Sequence, residues 1–225
     1  ITFSEILLEQ KAASIVDKFT SVDMAAAVSA DEIAEALSHT ASRANIAGIE
    51  LDKIIAYLTV VQETTRKSAS VVGESFKSIF ARMGKVTNGD AMDDMGEDIS
   101  KVEETLRSLG VELRSSETEF KHFDTVLDEV GTKWKNLSSV EQRKIATEFG
   151  GVYQSENFIA LMNNYEKVAK YVDIAANSAG TAATRFKAFE DSISAHANKL
   201  IASAEALAMN TVSTEFVNGL MDASA

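Results

Sequence analysis

The side chains able to do chemistry in this chain of 225 residues are three histidines, 34 carboxylates and scattered hydroxyls; cysteine is absent. His39, His122 and His196 stand far apart, and none has a second histidine at helical spacing. A zinc site needs three or four converging ligands, so all three read as surface or capping residues, with His122 orienting the Lys121-His-Phe123 turn. A serine nucleophile would need a strained turn of the G-x-S-x-G kind. The nearest approach, Gly73-Glu-Ser75, lies inside what reads as continuous helix. No Walker A motif, G-x-G-x-x-G or H-E-x-x-H occurs, and Gly150-Gly151, with no lysine following, reads as a helix break. Glycosidase chemistry would require one carboxyl in an apolar pocket facing a second across a cleft. Glu148 beside Phe149 and Glu156 beside Asn157 are the only carboxylates with suitable company, and nothing pairs them. The expectation is no catalytic residue, no cofactor and no metal ligand, and so no enzyme.

Charge narrows the partners. The formal net charge is −12, from 22 basic and 34 acidic side chains. Such a surface repels phosphate, which argues against direct nucleic-acid binding and against electrostatic attachment to anionic lipid. Half of the charge lies in Asp90–Glu104, where seven carboxylates face Lys101 alone. This stretch reads as a solvated connector, because a calcium loop would alternate its oxygen ligands regularly around a central glycine. No run of about eighteen apolar residues occurs, so no membrane span is expected in this segment. Isoleucine at position 1 and the abrupt Met221-Asp-Ala-Ser-Ala225 end give the chain the look of a fragment of a longer protein.

The elements that must position these side chains are helices. Proline is missing from all 225 positions, where average usage would give roughly eleven, so nothing interrupts long helices from within. A first helix is expected from Phe3 to Phe19. Ser29-Ala-Asp-Glu32 and Ser138-Ser-Val-Glu141 are capping boxes, in which serine and glutamate satisfy each other's backbone N–H groups. Leu51, Ile54, Ile55, Leu58 and Val61 recur at helical spacing, as do Val72, Phe76, Ile79, Phe80 and Met83, with Lys77 and Arg82 on the outer face. Gly84 ends that helix, and another is expected from Glu97 to Leu109. Val111–Arg114 and Glu119–His122 alternate, leaving room for one small β-hairpin near 111–122 around Ser115-Ser116; Ser116-Glu-Thr-Glu119 reads alternatively as another capping box. Phe123, Leu127, Val130 and Trp134 share a helical face, and Phe158, Leu161 and Met162 follow the Gly-Gly break. Core packing is assigned to Phe76, Ile79, Phe80, Met83, Trp134, Phe158, Leu161 and Met162. From about Thr181 a long helix carries Phe186, Phe189, Ile193, Ala197, Leu200, Ala204 and Leu207 on a heptad-like seam. Phe186, Phe189, Ile193, Leu200 and Leu207 are the expected self-association or partner face.

The fold class is therefore all-α, a multi-helix bundle with a long C-terminal helix. Its expected divisions are an N-terminal helical subdomain over 1–84, an acidic connector over 85–96 and a C-terminal helical subdomain over 97–225.

Several blocks, taken in order, carry a resemblance. Ser29 to Val60 forms a helix–Gly–helix unit, and Val72 to Met83 (VGESFKSIFARM) is the most recognisable helix. Leu109-Gly-Val111 and Val126-Leu-Asp-Glu-Val130 lead to Trp134, and Gly150-Gly-Val-Tyr-Gln154 runs on to Asn157–Met162. Together they resemble the core region of bacteriophage or prophage tail tape measure proteins. The resemblance implies a structural role: a module of a ruler that sets tail length, fills the tail-tube lumen, scaffolds assembly and acts in DNA ejection. It implies a virion location, in the tail lumen or tip, after synthesis in the host bacterial cytoplasm. The implied partners are the tail tube protein, distal tail, tail-tip or baseplate hub proteins, tail assembly chaperones and further copies of the chain in a homo-oligomer. The rival readings of the residues are a cellular helical adaptor or coiled-coil scaffold and, third, a cell-wall hydrolase module.

The seam yields a direct expectation. A chain truncated before Thr181 loses self-association, seen as a fall in solution mass by light scattering; an unchanged oligomeric state would remove the seam from consideration.

Overall fold

The computed structural model describes residues 3–189, with side chains from residue 13 onward. Residues up to Ala179 belong to one compact unit and those from Gly180 onward to another. In the first unit the helices are α1 (Phe3–Asp23), α2 (Ala30–Ile46), α3 (Leu51–Thr65), α4 (Ala69–Asn88), α5 (Val102–Ser108), α6 (Phe123–Lys133), α7 (Ser139–Asn163) and α8 (Glu166–Ala176). A 3-10 turn, Trp134–Asn136, joins α6 to α7, and two short antiparallel strands, β1 (Arg114–Ser116) and β2 (Glu119–Phe120), lie between α5 and α6. In the second unit, 181–189 is helical.

Local sequence sets most of the boundaries. Both capping boxes form: Ser29 Oγ accepts from Glu32 N–H at 3.2 Å, and Ser138 Oγ accepts from Glu141 N–H at 3.3 Å. The returning glutamates accept from the serine backbone N–H groups, each at 2.8 Å. Gly84 does not stop α4. A helix stop of this kind needs a left-handed residue, which Gly89 supplies at φ 81°, so the helix runs one further turn to Asn88. The segment 97–101 is not helical, and α5 starts only at Val102. The hairpin turns at Glu117-Thr118 rather than Ser115-Ser116, with Arg114 paired to Phe120 and Ser116 to Glu119.

The core is organised around α3. Ile54 through Gln62 are all buried, the signature of a helix surrounded on every side. It packs against α8, α7, α2 and α4. Thr59 turns its hydroxyl inward on the helix, Oγ1 donating to Ile55 O at 2.8 Å, while Gln62 Nε2 reaches the Glu32 carbonyl on α2 at 3.4 Å. The tightest crossing is α2 on α4. A Cβ added at Gly73 would stand 2.4 Å from the Ala36 carbonyl oxygen, backbone that cannot swing aside.

Aromatic rings run through this core as an unbroken chain. Tyr57 stacks on Phe76 at 6.4 Å, Phe76 meets Phe80 at 5.8 Å, and Phe80 meets Phe123 edge-on at 5.8 Å. Phe123 leads to Phe149 at 5.7 Å, Phe149 stacks on Phe158 at 4.8 Å, and Phe158 meets Trp134 at 6.1 Å. Each such pair contributes about 0.5–1.5 kcal/mol beyond simple burial.

Gly73→Ala therefore destabilises the protein by about 1–3 kcal/mol through overpacking, read as a lower urea midpoint by Trp134 fluorescence. Gly84→Ala, in the same helix with no atom within 4 Å of the added carbon, stabilises it by about 1 kcal/mol through helix propensity.

Candidate functional site

The feature that draws most polar chemistry together is the break at Gly150-Gly151. Gly151 has φ 62° and ψ −169°, a conformation essentially confined to glycine. It divides α7 into two helical halves and leaves carbonyls free on one side and N–H groups free on the other. Arg82, on α4, serves the first half: its Nε donates to the Glu148 carbonyl at 3.0 Å. Glu97 serves the second: its Oε1 accepts from Val152 N–H at 3.1 Å. Arg82 Nη1 then binds both Asp93 and Glu97, the latter at 2.7 Å. A Cβ at Gly151 would stand 2.7 Å from Glu97 Oε2 and would push that carboxylate off its place, while the positive φ is what requires glycine.

Arg82 itself is only 7% exposed. It does not lie on the outer face of its helix, because its partners lie beyond the helix. Burial alone would raise the Asp93 carboxyl. The Glu97 and Met95 N–H groups, both donating to Asp93 Oδ1 at 2.9 Å, and the Arg82 guanidinium more than offset this and hold it below the ordinary carboxylate range. Asp93 and Glu97 belong to the stretch that read as a solvated connector.

A second polar group joins three helices. Lys53 Nζ on α3 donates to Asp124 at 2.8 Å and to Asp128 at 2.7 Å, both on α6. Tyr165 Oη donates to the other oxygen of Asp128 at 2.6 Å, and Tyr57 Oη lies 3.4 Å from Tyr165 Oη. Burial opposes the charge on Lys53, yet the two carboxylates outweigh it and raise its affinity for the proton. Burial pushes both tyrosine hydroxyls up. These shifts move the lysine and both tyrosines further from neutrality, and the group holds helices together.

The side chains with catalytic potential are dispersed among the described residues. His39 pairs with Glu74 at 3.0 Å on the surface. The His122 ring lies over Gly48, and its residue is the N-cap of α6. His196 lies outside the described residues. Ser75 is buried within α4. Glu156 is exposed and pairs with Lys67 at 3.3 Å. Glu148 is partly buried, and that burial raises its carboxyl despite the nearby Arg82 and Lys144 charges. Among the described residues, no group of three or more His, Cys, Asp or Glu could hold a metal ion, and no helix is long and apolar enough to cross a membrane.

Phe76, Ile79, Phe80, Met83, Trp134, Phe158, Leu161 and Met162 are each at most 3% exposed. Trp134 also donates through Nε1 to Asn163 Oδ1 at 2.7 Å, tying the 3-10 turn to the far end of α7. Phe186 and Phe189 are 63% and 62% exposed. Ile193, Leu200 and Leu207 lie outside the described residues.

Charge pairs knit the helices around the break, and the titratable side chains outside these pairs do not converge among the described residues. The model of the family described as phage-related minor tail protein matches residues 5–151. The chain belongs to this family. No solved structure matches it. Membership gives the chain a structural role in a phage tail and makes it a tail component of the virion that associates with other tail proteins. The match takes in Arg82, Asp93, Glu97 and Glu148 and ends at Gly151. Lys18, Lys53 and their acidic partners Asp52, Asp124 and Asp128 fall within it as well.

Glu148 supplies a pH test with a definite sign. Its folded carboxyl is raised, so its contribution favours the folded state below the ordinary glutamate range and is lost as pH rises through the folded value. Glu148→Gln is expected to raise stability at pH 7, with the gain vanishing on acidification below about pH 4, as read by urea unfolding at each pH.

Proposed function

We propose that this minor tail protein is a module of a tape measure protein: a ruler that sets tail length, occupies the tube lumen and scaffolds assembly. The observation that carries this reading is the order of its blocks. The Ser29–Val60 unit, the Val72–Met83 helix, the Trp134 turn and the Gly150–Met162 break-and-helix follow one another with the spacing of the tape measure core, inside or adjoining the span matched to the tail family. The physical features are in keeping with it. A net charge of −12 keeps the surface from adhering to DNA that shares the same channel. The module does no chemistry of its own. Its partners are the tail tube protein, distal tail-tip or baseplate hub proteins and tail assembly chaperones, with Phe186, Phe189, Ile193, Leu200 and Leu207 forming the face for further copies. Release from the lumen accompanies DNA ejection.

Two measurements test the reading. An in-frame duplication of this segment in its parent gene lengthens the tails seen by electron microscopy. A peptide tag placed after Gly89, an exposed turn with open space around it, is hidden from antibody in intact tails and becomes reactive after ejection. Tails of unchanged length, or a tag reactive on intact tails, would reject the ruler or the lumen respectively.

A further inference from the structure

Between Val86 and Ile99 no residue is buried. Met92 and Met95 are 53% and 67% exposed, so this stretch gains almost nothing from apolar burial. It is nevertheless ordered by a specific set of polar contacts. Asp93 and Glu97 both bind Arg82, Lys85 Nζ reaches Asp94 at 2.7 Å, and Met92 and Asp98 form an isolated bridge. One end leaves α4 through left-handed Gly89, where an added Cβ would meet nothing; the other is fixed by buried Ile99. Backbone bonds such as Asp93 N–H to Glu97 O and Ile99 N–H to Ala91 O hold the segment's own shape, and it leaves α4 through the capping bonds of Gly89 and Asp90; a piece tied to its surroundings mainly by ion pairs has the energetics of a local opening unit.

The segment also stands between two clefts. One, of about 640 Å³, lies along the ends of α2 and α4 beside β2 and the start of α6; the other, of about 120 Å³, lies over the Gly150-Gly151 break. Arg43, Ala81 and Asp94 wall both. Of these three, Asp94 is the one that belongs to the segment itself.

We propose that residues 90–98 are a lid, captured here closed, whose latch is the pair of carboxylates on Arg82. Opening breaks both ion pairs together, because both converge on one guanidinium nitrogen. It also removes the acceptor from Val152 N–H and joins the two clefts into one groove along α2 and α4. Closed and open states lie near in free energy because the closed state leaves Arg82 desolvated, and water regained on opening offsets much of the lost ion pairing. The break in α7 is thereby coupled to the lid: Glu97 caps the second half only while it is latched.

Two protons report on the latch: the Val152 amide, which donates to Glu97 across the lid's edge, and the Arg82 Nε–H, which donates to the Glu148 carbonyl. Hydrogen exchange followed by NMR on the full chain is expected to give these two protons one common opening free energy, well below that of the Ile55 and Leu58 amides in α3. Asp93→Asn keeps an acceptor for the Met95 and Glu97 amides within the lid but loses one ion pair of the latch; it accelerates both reporters by at least roughly tenfold and leaves Ile55 and Leu58 unchanged. Glu97→Gln keeps an acceptor for Val152 but loses the other ion pair, acts in the same direction, and serves if the Asp93 variant fails to fold. Unrelated rates for the two protons in the unmodified chain, unchanged rates in a folded variant, or exchange only together with α3, would overturn the lid.

Discussion

One guanidinium draws together the break in α7, the end of α4 and the acidic segment that follows it. Arg82 reaches the last carbonyl region before the break in α7 and two carboxylates from the segment after α4. Its burial is costly in isolation, and removing one partner would leave charge stranded away from water. The arrangement therefore demands all its members at once. That demand gives the Gly-Gly break a defined geometry, where a pair of glycines alone would leave a loose joint.

The rest of the fold builds outward from α3 under a second constraint, the scarcity of bulky side chains. Aromatics are 7% of the chain, and seven of them, Tyr57, Phe76, Phe80, Phe123, Phe149, Phe158 and Trp134, form one continuous line of rings through the core. Elsewhere helices approach on small residues, Gly73 against Ala36 and Gly131 beneath the Tyr165 ring. Gly131 lets that ring sit where its hydroxyl meets Asp128, which in turn meets Lys53. Small-residue contacts thus place the polar bridges as well as the backbones. Lys18 does comparable work at the edge, pairing with Asp52 at 2.6 Å and donating to the Ala175 carbonyl at 3.1 Å.

What was legible in the sequence is what short-range chemistry decides. Ser29 with Glu32, and Ser138 with Glu141, announce their helices because both partners of each cap lie within one turn. The apolar spacing of α3 and α4 and the break at Gly150-Gly151 are similarly local. Arg82 was misplaced on the outer face because its three partners lie 11, 15 and 66 residues away, and a charged residue with no neighbour in range reads as solvated. The same blindness made Asp93 and Glu97 look like part of a bare acidic connector. The misjudged stop at Gly84 has a different cause: two glycines compete to end α4, and only tertiary context shows that Gly89 is the one in the left-handed conformation. The tail family could not be reached from residue chemistry at all, since every block that carries it is ordinary helix when taken alone.

The tie between Lys18 and Ala175 has a mechanical meaning. It joins the last turns of α1 to the end of α8, α1 lying along α8, so the two outer helices are stapled at one end. A pull along the polypeptide is then borne first by that peripheral contact, peeling α1 from α8 while α3 stays shielded behind its neighbours. Under tension the unit behaves as a bead with a weak seam and a strong centre. It yields in stages, and the first stage leaves the aromatic line of the interior intact.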